Sequence, residues 1–164
     1  MALVGVTQGA TAAFAVLQDY GIPPEGQKYV CRDVASRGSL VAMVDDSTCA
    51  LVSGAMPATA VYLGFLEQDV VGDASAEIQF GYRAQQKTAT LAGDPVTIWR
   101  AGRFLVTNVV GSVATGAKLY PADGGAVSAT QTGSAPAVGV CVKGNSAPGG
   151  PIEAEIFLIG RPSL

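Results

Sequence analysis

From Gly93 to Gly160 the chain alternates short apolar runs with glycine- and proline-rich breaks. Pro95 to Arg100 reads as a strand, Ala101-Gly102 as a turn, and Phe104 to Val110 as the partner strand of a hairpin. Gly116 to Pro121 follows, closed by Asp123-Gly124-Gly125; Ala137 to Lys143 and Ile152 to Ile159 complete the series. Many short strands with regular turn signals predict a folded-over or closed sheet.

The first half carries the same pattern less regularly. Lys28 to Arg32 is a short strand candidate. Ser39 to Val44 and Thr48 to Val52 read as a hairpin through the acidic turn Asp45-Asp46-Ser47. Val61 to Leu66 is a further strand, and Ala76 to Tyr82 alternates as a half-buried strand does.

Residues 1–26 differ from the rest. They are rich in small residues, and their charged side chains are Asp19 and Glu25. Thr11 could cap a short helix reaching Leu17 or Asp19, or the segment could lie extended as an arm. Pro23 and Pro24 stiffen the chain and block a helix from continuing. The division expected is therefore an N-terminal arm, residues 1–26, and a β domain, residues 27–164. The fold class expected is all-β: a small antiparallel β-barrel or β-sandwich with that arm.

In the last strand Ile152, Ala154, Ile156 and Leu158 share one face. The opposite face changes from Glu153 and Glu155 to Phe157 and Ile159. Its distal half either meets another subunit or the arm, or enters a second layer of the same domain.

Composition sharpens this picture. The 164 residues are 49% hydrophobic and only 14% charged, which is low for a surface facing water alone. Either part of the apolar surface is covered by a partner, or the core is built from small residues. A net charge of −3 with no basic stripe points away from nucleic acid. No polybasic segment or long apolar run addresses a membrane. Cys31, Cys49 and Cys141 are widely spaced, and histidine is absent. That argues against a disulfide framework and a zinc site, and for three reduced, mostly buried thiols, with the later bridging of one pair left open.

Candidate chemistry is thin. Glu153 and Glu155 place two carboxylates roughly 6–7 Å apart on one strand face, a spacing that glycosidase acid pairs also use. Such acid pairs usually come from different strands in a cleft, so a solvated strand face is the better reading. Asp45-Asp46-Ser47 lacks the alternating oxygen ligands of a calcium loop and reads as a turn. Without histidine no Ser-His-Asp or Cys-His device exists. No phosphate-loop pattern occurs either. The chain is expected to be no enzyme and to use no cofactor. Trp99, Arg100 and Arg103 would cluster at the hairpin tip as a docking point, unless the indole packs into the core.

Val96 to Phe104, then Gly116 to Gly125, then Ala137 to Val142 and the strand from Ile152 to Ile159 follow one phrase order. In that order the last 70 or so residues resemble capsid decoration (cement) proteins of tailed bacteriophages. The resemblance implies a virion structural protein, assembled in the host cytoplasm, that binds the outer face of the capsid shell and stabilises it. Its implied partners are the major capsid protein and copies of itself in a homotrimer. The arm would reach the shell through Leu3, Val4, Val6, Phe14, Val16 and Leu17, with Trp99, Arg100, Arg103, Phe157 and Ile159 as further contacts. The competing classes are a tail or baseplate structural protein and a carbohydrate-binding β-sandwich. An exposed aromatic platform would favour the last.

Overall fold

The computed structural model describes residues 13–18, 24–72 and 89–156. The strands are β1 (Ala15–Gln18), β2 (Glu25–Cys31), β3 (Leu40–Met43), β4 (Thr48–Leu51), β5 (Tyr62–Leu66), β6 (Asp69–Val71) and β7 (Ala89–Leu91). They continue with β8 (Pro95–Trp99), β9 (Gly102–Val106), β10 (Val109–Val110), β11 (Lys118–Ala122), β12 (Ala126–Ser128), β13 (Gly139–Lys143) and β14 (Ile152–Ile156). Among the described residues the helical content is one 3-10 turn, Asp123–Gly125. The protein is all-β. The strand expected over 76–82 lies outside the described residues, as do Phe157, Leu158 and Ile159.

Five strands close a barrel in the order β2-β4-β3-β5-β8. A seven-stranded sheet runs β1-β9-β14-β13-β11-β12-β10, and β6 pairs with β7. Among the described residues pairing is mostly antiparallel, with three parallel exceptions, β2·β4, β6·β7 and β10·β12. The barrel exception follows from strand order. The chain passes from β2 to β3 and then doubles back, so β4 fits between them, antiparallel to β3 and parallel to β2.

The expected hairpin over 39–52 forms, with Val41 opposite Leu51 and Met43 opposite Cys49. Its turn is closed by Asp45, whose Oδ1 accepts from the Ser47 amide at 2.9 Å. That bond holds the Asp45 carboxyl below its usual range.

The expected hairpin over 95–110 does not form. β8 pairs with β2 and β5 in the barrel, whereas β9 pairs with β1 and β14 in the sheet. Arg100 and Ala101 carry the chain from one layer to the other, with Ala101 buried. Gly102 follows at φ 145. A side chain there would meet the Gln18 carbonyl at 2.7 Å, so glycine lets β1 lie close against β9. The alternation of each strand agrees with this split. Val96 and Ile98 enter the barrel interior, and Phe104 and Val106 enter the second core.

Two cores result. Tyr29, Cys31, Val41, Cys49, Leu63, Leu66, Val96 and Ile98 fill the barrel, as side chains fill any barrel of so few strands. Leu40, Ala42, Tyr62, Phe65, Phe104, Val106, Leu119, Ile152, Ala154 and Ile156 form the second, between the barrel wall and the sheet. β3 and β5 contribute to both. All five residues of β5 are buried, which explains why this segment reads as an unbroken apolar run rather than an alternating one.

Phe14, Phe65 and Phe104 join the layers, with ring centroids 5.5 to 5.7 Å apart. The segment before β1 is thus anchored in the core at Phe14. Gly38 makes room for that ring, since a Cβ there would come within 2.6 Å of it. The position expected to close the arm, 26, lies inside β2, which begins at Glu25.

Candidate interaction surface

The outward face of the seven-stranded sheet is built by alternation. In β9 Phe104 and Val106 point inward, leaving Arg103 and Leu105 half-buried on the other face. In β14 Ile152, Ala154 and Ile156 are buried, and Glu153 and Glu155 stand outward, as the strand period required. Register then brings charge to charge: Arg103 lies opposite Glu155, and Lys143 opposite Glu153. Arg103 Nη2 donates to Glu153 Oε2 at 2.6 Å, and Lys143 Nζ stands 3.9 Å from Glu153 Oε1. Glu153 is thus held between two cations, Arg103 and Lys143. A shallow cleft of about 270 Å³ adjoins this cluster, lined by Leu105, Lys143, Gly144, Ser146, Pro151, Ile152 and Glu153.

β1 borders this face. It is the terminal strand of the sheet among the described residues, and Gln18 sits opposite Arg103. Leu17, in the irregular step of that pairing, is 47% exposed. Two readings that were separate in the sequence, the arm and Arg103, therefore meet at one sheet edge.

The remaining expected contacts disperse. Phe14 is buried within its own chain, so it is not free to meet a shell. Val16 packs against the same core. Trp99 also packs there, 6.4 Å from Phe104 in an edge-to-face arrangement. Its indole therefore supplies no open aromatic platform for a sugar. Arg100 is half-buried at the layer crossing, away from any hairpin tip. Leu3, Val4, Val6, Phe157 and Ile159 lie outside the described residues.

A second groove, of about 440 Å³, lies on the other side of the sheet order. Gly54, Val110, Asp123, Ser128 and Thr132 are among its lining residues. Asp123 Oδ1 accepts from the Gly54 amide at 2.8 Å, which ties this rim together. Val110 is 51% exposed beside it.

The sequence reading missed Asn145. Its Oδ1 accepts from the Val113 amide, and its Nδ2 donates to the carbonyls of Gly111 and Gly150. One side chain thus pins two loops. The only local signal was an asparagine within a glycine-rich turn. Also missed was the neighbourhood of Cys31 and Cys49, which parallel pairing places side by side.

Among the described residues no group of three or more acidic, cysteine or histidine side chains is placed to hold a metal ion. The described residues form an all-β protein, a closed barrel backed by a seven-stranded sheet. The family model of the XM1 gp53 minor capsid protein matches residues 24–156, a span that includes the whole barrel and every strand of the sheet except β1. The chain belongs to that family, and is a virion structural protein of the capsid. No curated protein matches the sequence.

Proposed function

We propose that this chain is a decoration, or cement, protein that seats on the outer face of the capsid shell and stabilises it. In this reading it binds the major capsid protein, stands as a homotrimer at threefold or quasi-threefold positions, and carries out no catalysis. The observation that carries the reading is membership of a minor capsid protein family across both layers of the fold. The surface supports it. The β1 edge offers exposed Leu17 and strand backbone that, among the described residues, is paired on one side only, beside the Arg103–Glu153 pair, the combination that strand addition uses. Residues 1–12 would extend this edge contact along the shell, with Leu3, Val4 and Val6 in it.

The test is a cryo-EM map of the assembled particle, paired with occupancy of a Leu17→Asp variant. Barrel density on the outer surface in groups of three is the expected result. The variant is expected to keep its far-UV circular dichroism and melting temperature and to lose at least tenfold in occupancy. Density confined to the tail, the baseplate or the inner face overturns the proposal. Full occupancy by the variant moves docking away from the β1 edge.

A further inference from the structure

Cys31 ends β2 and Cys49 lies in β4, and the two are direct register partners on neighbouring parallel strands. Both are buried, 0% and 1% exposed, and both belong to the barrel interior. Neighbouring strands stand about 4.8 Å apart, inside the window of about 4.4–6.8 Å over which disulfides join two Cα atoms. Registered residues that share a core project to the same side, so the two thiols face each other rather than diverge. The Cys31 thiol donates to the Asp33 carbonyl at 3.6 Å.

We propose that Cys31 and Cys49 are a latent disulfide: two free thiols in the barrel wall that close to a covalent staple between β2 and β4 when the chain meets a small-molecule disulfide.

The chemistry divides between the two residues. The hydrogen bond from Cys49 holds the Cys31 thiol below the ordinary cysteine value, while the same contact and burial push Cys49 up. In the opened barrel either thiol can ionise and attack first; take Cys31. It displaces one thiol from the small-molecule disulfide and becomes a mixed disulfide. Cys49, giving its proton to the departing thiolate or to water, attacks the Cys31 sulfur and releases the second thiol. Two protein thiols are oxidised, and one small disulfide is reduced to two thiols. Both sulfurs are shielded in the closed barrel, so exchange proceeds while the barrel is open, during folding or a local opening.

Cys141 supplies an internal control. It is buried in the other core, and burial pushes its thiol up. The inference rests on the barrel alone and stands apart from the capsid reading.

The experiment refolds the full chain from denaturant in oxidised and reduced glutathione, blocks remaining thiols with an alkylating agent, and maps peptides by mass spectrometry. The expected product has Cys31 joined to Cys49 and Cys141 alkylated. Its melting temperature should exceed that of the reduced chain by on the order of 5–10 °C. A Cys141→Ala variant should give the same link, and a Cys49→Ala variant should melt alike in both buffers. Three alkylated cysteines in the folded product, a link through Cys141, or a linked form that melts below the reduced one overturns the proposal.

Discussion

Phe14 stacks on Phe104 with ring centroids 5.7 Å apart and planes 17° from parallel. One ring precedes β1 and the other lies in β9, so the contact fastens the N-terminal segment to the sheet. Phe65 completes the group from the barrel wall. Removing the Phe14 side chain leaves a cavity at the junction of the layers. Phe14→Ala is expected to lower unfolding stability by about 3–5 kcal/mol, read from urea titration. A chain beginning at residue 24 should likewise melt lower. Unchanged melting in both would show that the aromatic junction contributes nothing.

Tyr62 is 4% exposed, and its hydroxyl has no hydrogen-bond partner among the described residues. Burial pushes its phenol up to about 12 from the ordinary 10.0. Above pH 10 the unfolded chain ionises first and binds fewer protons, so stability falls with rising pH until the folded phenol also ionises near 12. Tyr62→Phe removes both this alkaline limb and an unsatisfied hydroxyl. It should raise stability at pH 7 by about 1 kcal/mol and flatten the profile above pH 10. A variant with the parent's alkaline slope would assign that slope to another group.

Gly64 and Gly93 both have positive φ, 137° and 96°, yet differ in surroundings. A Cβ on Gly64 would collide with the Trp99 carbonyl, where β5 lies against β8, whereas a Cβ on Gly93 meets nothing within 4 Å. Gly93→Ala should cost about 1 kcal/mol, the backbone term alone. Gly64→Ala adds a backbone clash inside the barrel wall and should cost more than about 3 kcal/mol or prevent folding. Comparison of soluble yield and melting temperature decides. Equal effects would contradict the close approach of these strands.

The Arg103–Glu153 pair is partly exposed, at 35% and 24% for the two side chains. Solvent screening limits its coupling in a double-mutant cycle to about 0.5–1 kcal/mol. Most of that should disappear at 1 M salt, where the screening length is about 3 Å. A coupling that persists in high salt would mark a buried pair. Glu153→Gln should leave the melting temperature almost unchanged.

The sequence carried the strand content well because most strands are bounded by glycine, proline or acidic turns, as Asp45 to Ser47 shows. The inward face of β14 was legible because period-two alternation depends only on one buried side. Partner choice was not. Nothing in Pro95 to Val106 distinguishes a hairpin from a step between layers, since both need two strands and a short break. The deciding contacts, Val96 with the barrel and Phe104 with Phe14, are distant in sequence. The candidate surface is put together by pairing that the sequence does not display. Leu17 and Arg103 were singled out for different reasons, and only the β1–β9 pairing makes them neighbours. Phe14 was misplaced because an apolar side chain in a small-residue segment looks the same whether it docks on a partner or on its own core.

The double burial of Tyr62–Leu66 has a consequence for how this molecule can be divided. A strand that serves two interiors belongs to neither alone. A cut at the Arg100–Ala101 crossing leaves the barrel fragment with Phe65 exposed and the sheet fragment without its cover. Neither half is an inheritable module. Barrel and sheet must be gained, lost or exchanged as one piece, and the two halves made separately should acquire structure only when mixed.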